Sequence, residues 1–312
     1  MPWKVTIDDT YDILENESIK IKTALWGAEL ISLQVNHPTR GWTGILVNDD
    51  DVDPQHNYWK KHAPFLFPIV GGLQNHKSVT TTGKHIELPN HGFARISRFE
   101  RVDHGSDFDS AWVEYLLVYT QESEHLYPWD CSLSIRYTLT SNRLDTMVTV
   151  LNDSDETMWF QFGWHPGFKM PISGDASKRK DVEIRLPHGD YVQIGVDKEC
   201  LLNGEDRGFY LDGPLKLSDT ELKDTFILDM ESFDKRFVSL YDQESGITTT
   251  VEFNEHPHLG LWALPDAPYI CIEPWQGCDD YIEQTPFDEK FGVMSIKPNQ
   301  ADSRTISTII TY

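Results

Sequence analysis

Three polar side chains in this sequence stand in surroundings that would make them reactive: His91, His165 and Glu273. His91 lies in Leu88-Pro89-Asn90-His91-Gly92-Phe93-Ala94-Arg95, where a Pro-Asn pair precedes it and a Gly follows, so the chain bends and the imidazole falls on a loop. His165 lies in Phe162-Gly163-Trp164-His165-Pro166-Gly167-Phe168. Alternation puts Met158, Phe160, Phe162 and Trp164 on one face and Trp159, Gln161 and His165 on the other, and Pro166 then ends the ladder. Glu273 lies in Tyr269-Ile270-Cys271-Ile272-Glu273-Pro274-Trp275, with Ile270 and Ile272 toward the core and Glu273 opposite, beside Pro-Trp at the end of an apolar strand. Partial desolvation there raises the carboxyl pKa and makes a better base. A basic carboxylate and an imidazole acid are the parts needed to shuttle a proton between oxygen atoms. Two His and one Glu are also the donor set of a facial-triad metal site, so a metal enzyme is the rival reading.

Other chemistries find no residues to carry them. The chain has no G-x-S-x-G elbow and no P-loop, and Gly71-Gly72 lacks the rest of a dinucleotide fingerprint. His256-Pro257-His258 fits no common metal spacing, and Asp49-Asp50-Asp51-Val52-Asp53 lacks the Gly and distal Glu of a calcium loop, so it reads as a solvated loop. Cys131, Cys200, Cys271 and Cys278 form no C-x-x-C pair, which argues against a disulfide framework or structural zinc.

The elements that must position these groups read as strands. From Cys131 to Thr140 the residues Leu133, Ile135, Tyr137 and Leu139 face one way and Ser132, Ser134, Arg136 and Thr138 the other. Similar patterns run over residues 19–22, 111–120, 146–151, 158–164, 237–241, 247–253, 269–272 and 305–312, separated by Gly, Asn, Asp and Pro clusters. Helical periodicity is nearly absent, with short turns at Phe287–Phe291 and residues 57–61, and residues 173–181 read as an exposed loop. The expectation is an all-β fold of large antiparallel sheets packed face to face, in one domain over residues 1–312.

Composition narrows the partners. The 312 residues carry a net charge of −23, which argues against nucleic acid or an anionic membrane surface, since both need basic patches. No run of about 18 apolar residues spans a membrane, and no basic-then-apolar segment opens the chain, so cytoplasm is the expected location. Aromatic residues are 12% with 10 Trp, suited to a β-rich core and to stacking on the C–H face of a sugar.

Taken together, the motifs resemble the aldose 1-epimerase (galactose mutarotase-like) family, in its LacX-like branch. The likeness rests on Gly27-Ala28-Glu29-Leu30 with Ser32-Leu33, Tyr58-Trp59-Lys60 through Ala63-Pro64-Phe65-Leu66-Phe67-Pro68-Ile69-Val70-Gly71, His91-Gly92-Phe93-Ala94-Arg95, Trp164-His165-Pro166-Gly167-Phe168, and Ile272-Glu273-Pro274-Trp275 with Gly277 and Asp280. These blocks stand in family order along nearly the whole chain. The resemblance implies a β-supersandwich with an open cleft, and a cofactor-free 1-epimerase converting the α and β anomers of a hexose. It implies Glu273 as base on the anomeric hydroxyl, His165 as acid on the ring oxygen from the opposite side of the sugar, and His91 as a hydrogen-bonding partner near that oxygen. His165 should then be protonated when substrate arrives. Asp224, in Leu222-Lys223-Asp224-Thr225, matches the family's hydroxyl-binding aspartate, and Arg95 and Trp275 complete the expected binding set. The family pattern Phe-Pro-Ile-Val-Gly-Arg-Leu has Gly72 at its arginine here, a loss that Arg95, Asn75, His76 or Lys77 would have to offset. Hexose-6-phosphate epimerisation, which would need clustered Arg or Lys, and sugar binding without catalysis are the alternatives on the same fold.

Overall fold

The structure, a computed structural model, describes residues 3–47, 59–122 and 126–312. The acidic run 49–53 and residues 57 and 58 of the expected 57–61 turn lie outside these residues.

The strand segments fold into antiparallel sheets. One eight-stranded sheet runs in the order Val182–Arg185, Phe237–Asp242, Thr248–Glu252, Ala301–Thr311, Arg143–Asn152, Cys131–Leu139, Ala111–Tyr119 and Glu100–Ser106. In the Cys131–Leu139 strand the apolar positions are buried and the polar ones are not, as the alternation predicts. A second sheet runs Arg207–Leu211, Gly189–Ile194, Phe226–Asp229, His258–Trp262, Tyr269–Gln276, Phe162–Trp164 and Phe65–Leu66, with Gly167–Lys169 also pairing to Tyr269–Gln276. A five-stranded sheet is built from Lys4–Ile7 through Gly41–Gly44. One apolar core joins the two larger sheets, and Phe65 of the second meets Tyr137 of the first with ring centroids 6.3 Å apart. Ile270 and Ile272 belong to that core. Burial of such a sheet interface is the dominant stabilising term.

Helix is sparse among the described residues. A single α-helical turn, Asp219–Lys223, is held by a capping box between Ser218 and Glu221. Residues 173–181 differ from the expected open loop. Ala176–Asp181 forms a 3-10 helix, because Asp175 accepts from the Ser177 N–H and Arg179 is buried against Asp219 at 2.9 Å. The expected 158–164 strand is broken in two. Met158–Phe160 pairs with Met294–Ile296 while Phe162–Trp164 pairs with Tyr269–Gln276. The break falls at Gln161, a buried side chain that accepts from the Val70 N–H and donates to the Phe291 and Cys278 carbonyls. A buried amide must find partners, and here it finds them off the ladder.

Candidate active site

The second sheet brings the acid–base candidates together through its register. Gly163 faces Trp275, and Gly167 faces Cys271 four residues further along. His165, midway between the two glycines, therefore faces Glu273. Pro166 interrupts one strand and Pro274 lies in the other, so two missing N–H donors fall in one gap of the ladder and little backbone pairing is lost. Glu273 is thus inside an eight-residue strand, Tyr269–Gln276, and not at a strand end as the Pro-Trp pair suggested. The His165 Nε2 and Glu273 Oε2 atoms are 3.1 Å apart. They adjoin each other, whereas the family resemblance implies an acid and a base on opposite sides of a sugar.

Both groups are withdrawn from water. Glu273 is 1% exposed, and neither of its carboxylate oxygens has an aligned hydrogen-bond partner. Burial raises its pKa well above the ordinary carboxylate value, and the charge of Asp279 adds to the rise. His165 stacks on Trp59 at 4.9 Å and meets the edge of Trp262 at 5.9 Å. Desolvation in this aromatic box pushes its pKa down to about 3, with Arg95 adding to the fall. That is the opposite of the protonated imidazole expected. The pair as a whole, a carboxyl driven up beside an imidazole driven down, holds one proton.

His91 sits where the chain reverses, at φ +62°, with Gly92 following at +70°. The Gly71 N–H donates to His91 Nδ1 at 3.0 Å, and His91 N–H donates to the Gly71 carbonyl at 2.7 Å. An accepting Nδ1 leaves the proton on Nε2 of the neutral ring. Burial, with help from His165 and Arg95, keeps the ring neutral by holding its pKa well below the ordinary histidine value. Its ring lies 5.7 Å from that of His165.

These residues line one cavity of about 240 Å³, together with Trp59, Arg95, Cys200, Thr225, Trp262, Trp275 and Asp279 among others. It is smaller than the roughly 300–1,000 Å³ of sites for drug-sized ligands, a size suited to one small ring. Trp275 forms part of its wall because Gly163 and Gly260 leave room; a Cβ on either would lie 2.6 or 2.8 Å from the indole. A larger depression of about 630 Å³, beside Gln74 and Gln284, has its His85 and Glu87 exposed on one strand.

Of the six expected site residues, Glu273, His165, His91, Arg95 and Trp275 share the cavity. Asp224 does not: it is exposed at the end of the Asp219–Lys223 helix and lines a neighbouring depression with Arg207 and Glu221. Thr225 lines the cavity in its stead, at φ +62°. Of the four residues weighed as offsets for Gly72, Arg95 lines the cavity, whereas Asn75 and Lys77 line the larger depression. Trp262 and Asp279 line the cavity without having been among the expected site residues, and Trp59, part of the matching Tyr58-Trp59-Lys60 block, joins them there. The tryptophan count hinted at stacking but named no position, and Asp279 carried no signal beside Asp280. Among the described residues the donor atoms close enough for one metal belong to His165, Cys271 and Glu273, within 4.8 Å of one another. His91 is not in that group, so the two-His, one-Glu triad does not assemble as weighed. Burial pushes the Cys271 thiol pKa well up, which disfavours a thiolate ligand.

A family model described as aldose 1-epimerase matches residues 9–308. A galactose mutarotase related enzyme from Lactobacillus acidophilus is 29% identical, with a TM-score of 0.84 over 97% of each chain. The plasmid-borne protein LacX of Lactococcus lactis subsp. lactis is 28% identical over 273 residues, 81% of this chain and 87% of that protein. A galactose 1-epimerase from Lactobacillus acidophilus shares the fold, with a TM-score of 0.72, 15% identity and coverage of 99% of this chain and 98% of that one.

Proposed function

Because the chain belongs to the aldose 1-epimerase family, in its LacX-like branch, with the all-β galactose mutarotase-like fold, we propose that it interconverts the α and β anomers of a hexose by acid–base ring opening and reclosure. The observation that carries this reading is the His165–Glu273 contact of 3.1 Å in a ring-sized cavity walled by Trp59, Trp262 and Trp275.

The anomeric oxygen and the ring oxygen of an aldose are bonded to the same carbon, so adjacent acid and base groups reach both. With a sugar seated, the pair's single proton belongs on His165. Glu273 takes the proton of the anomeric hydroxyl while His165 gives its own to the ring oxygen. The C1–O5 bond breaks, the open aldehyde turns about C1–C2, and reclosure with the two roles exchanged gives the other anomer. His91, neutral with a proton on Nε2, donates a hydrogen bond to the sugar. No step calls for a metal or an organic cofactor.

Polarimetry on freshly dissolved α-D-glucose and α-D-galactose, in a buffer that catalyses poorly, tests the reading. Wild type should speed the approach to equilibrium, and His165→Asn should slow kcat by about 10²-fold or more. Wild type silent on both sugars would sink neutral-hexose epimerisation.

The same reading fixes a pH dependence. The active form holds one proton on the His165–Glu273 pair, so kcat/KM falls on the alkaline side when that proton leaves. The Asp279 charge raises the Glu273 pKa, and its removal must lower it. In Asp279→Asn the alkaline limb should therefore move to lower pH; an unmoved or upward-shifted limb would show that this proton is not the one titrated.

A further inference from the structure

Two consecutive aspartates at the cavity end differ in what they bind. Asp280 is buried and paired with the equally buried Lys290 at 2.9 Å. It also accepts from the Gln74 backbone N–H at 2.9 Å and the Gln284 amide at 2.8 Å. Asp279 lines the cavity and has no cation within ion-pair distance among the described residues. One of its oxygens accepts the Gly72 N–H at 2.6 Å, and no side chain among the described residues donates to the other. Its carboxylate is packed against Gly71 and Gly72, where a Cβ on Gly71 would collide with it. Two bare glycines therefore back the carboxylate, with no cationic side chain at either position.

Of the other charged groups lining the cavity, Glu273 adjoins His165 at 3.1 Å, and Arg95 is a cation that feels the charge of Glu29. Burial raises the Asp279 pKa to about 6, while the Gly72 N–H and Lys290 pull against that rise, so the group is ionised at neutral pH. A half-buried, ionised carboxylate without a cation gains most from a ligand that brings one, since charge-assisted hydrogen bonds are about twice as strong as neutral ones. A phosphate or carboxylate set against Asp279 would instead meet like charge.

We propose that Asp279 is a specificity-determining residue that selects amino-deoxy aldoses, receiving the substrate's ammonium group on the carboxylate oxygen that the Gly72 N–H does not engage. This rests on the aldose reading of the cavity and names the substrate class within it.

The test compares kcat/KM for glucose and galactose with that for the matched 2-amino-2-deoxy and 6-amino-6-deoxy sugars, their N-acetyl forms and the hexose 6-phosphates, near pH 7, where the ammonium form is still populated. In wild type at least one amino sugar should exceed its neutral parent by tenfold or more, N-acetylation should erase that advantage, and the 6-phosphates should be poorest. Asp279→Asn should cut the amino-to-neutral ratio at least tenfold, and in wild type the ratio should fall as pH drops below about 6, where Asp279 gains its proton. Neutral sugars turned over as well as or better than every amino sugar by wild type would overturn the inference and leave the aldose reading standing. Wild type inactive on all of them would overturn both. The wild-type comparison decides the matter even if the variant does not fold.

Discussion

Glu273→Gln should reduce the catalysed mutarotation rate about 10²- to 10⁴-fold, with little change in apparent substrate affinity, as expected when a positioned base is removed. Gln keeps the shape of the side chain and loses the ability to take a proton. A merely structural role makes the opposite forecast for stability, so the thermal melt belongs beside the rate. Glu273 is 1% exposed and lacks an aligned hydrogen-bond partner, and its pKa is raised well above the ordinary value by burial first and Asp279 second. A carboxyl raised in the folded state stabilises only where it keeps its proton. Stability from this group is present below the unfolded value of about 4.3 and is lost as pH climbs through the folded one. At pH 7 and above the Gln variant should therefore melt no lower than wild type, with the difference shrinking in acid. A variant that loses activity and melts well below wild type at neutral pH would assign Glu273 a packing role and remove it as the base.

The largest stability effect should come from Lys290→Met. Lys290 and Asp280 are each about 3% exposed, and their charges compensate each other at 2.9 Å. A buried pair of this kind contributes little compared with an apolar replacement, but breaking it strands the partner's charge, at about 3–5 kcal/mol. For a chain of this length that is a fall in Tm on the order of 10 °C. Asp280→Asn combined with Lys290→Met should recover much of the loss, because the amide retains an oxygen for the Gln74 N–H and leaves no charge behind. Denaturant titration of the three variants measures the coupling. A loss below about 1 kcal/mol for Lys290→Met would mean that water reaches the pair and screens it. Because Asp280 also donates its own N–H to the Gly72 carbonyl at 3.3 Å, the single variant should loosen the segment that carries Asp279 as well.

The all-β architecture was legible in the alternation itself. Side-chain period along a strand is a local property, and Cys131–Leu139 buries Leu133, Ile135, Tyr137 and Leu139, the positions that its pattern points inward. Where local pattern and tertiary demand conflicted, the pattern lost. Residues 158–164 read as one strand, yet Gln161 breaks it to satisfy its amide across two segments. Residues 173–181 read as loop, yet the Arg179–Asp219 contact folds part of it into a 3-10 helix.

The sequence by itself determined the strands, the turn around His91, and the set of polar residues worth watching, because each follows from residue type and near neighbours. Tertiary structure alone decided that His165 faces Glu273, since a register between distant strands is fixed by packing of whole faces and not by either strand's residues. It also set aside Asp224 in favour of Thr225, walled the imidazole with Trp59 and Trp262, and placed Asp279 in the cavity lining while Asp280 paired with Lys290. Desolvation followed from that enclosure: the same carboxyl and imidazole that would titrate ordinarily on a surface are driven apart in pKa, because taking either charge out of water costs more than the open chain could reveal.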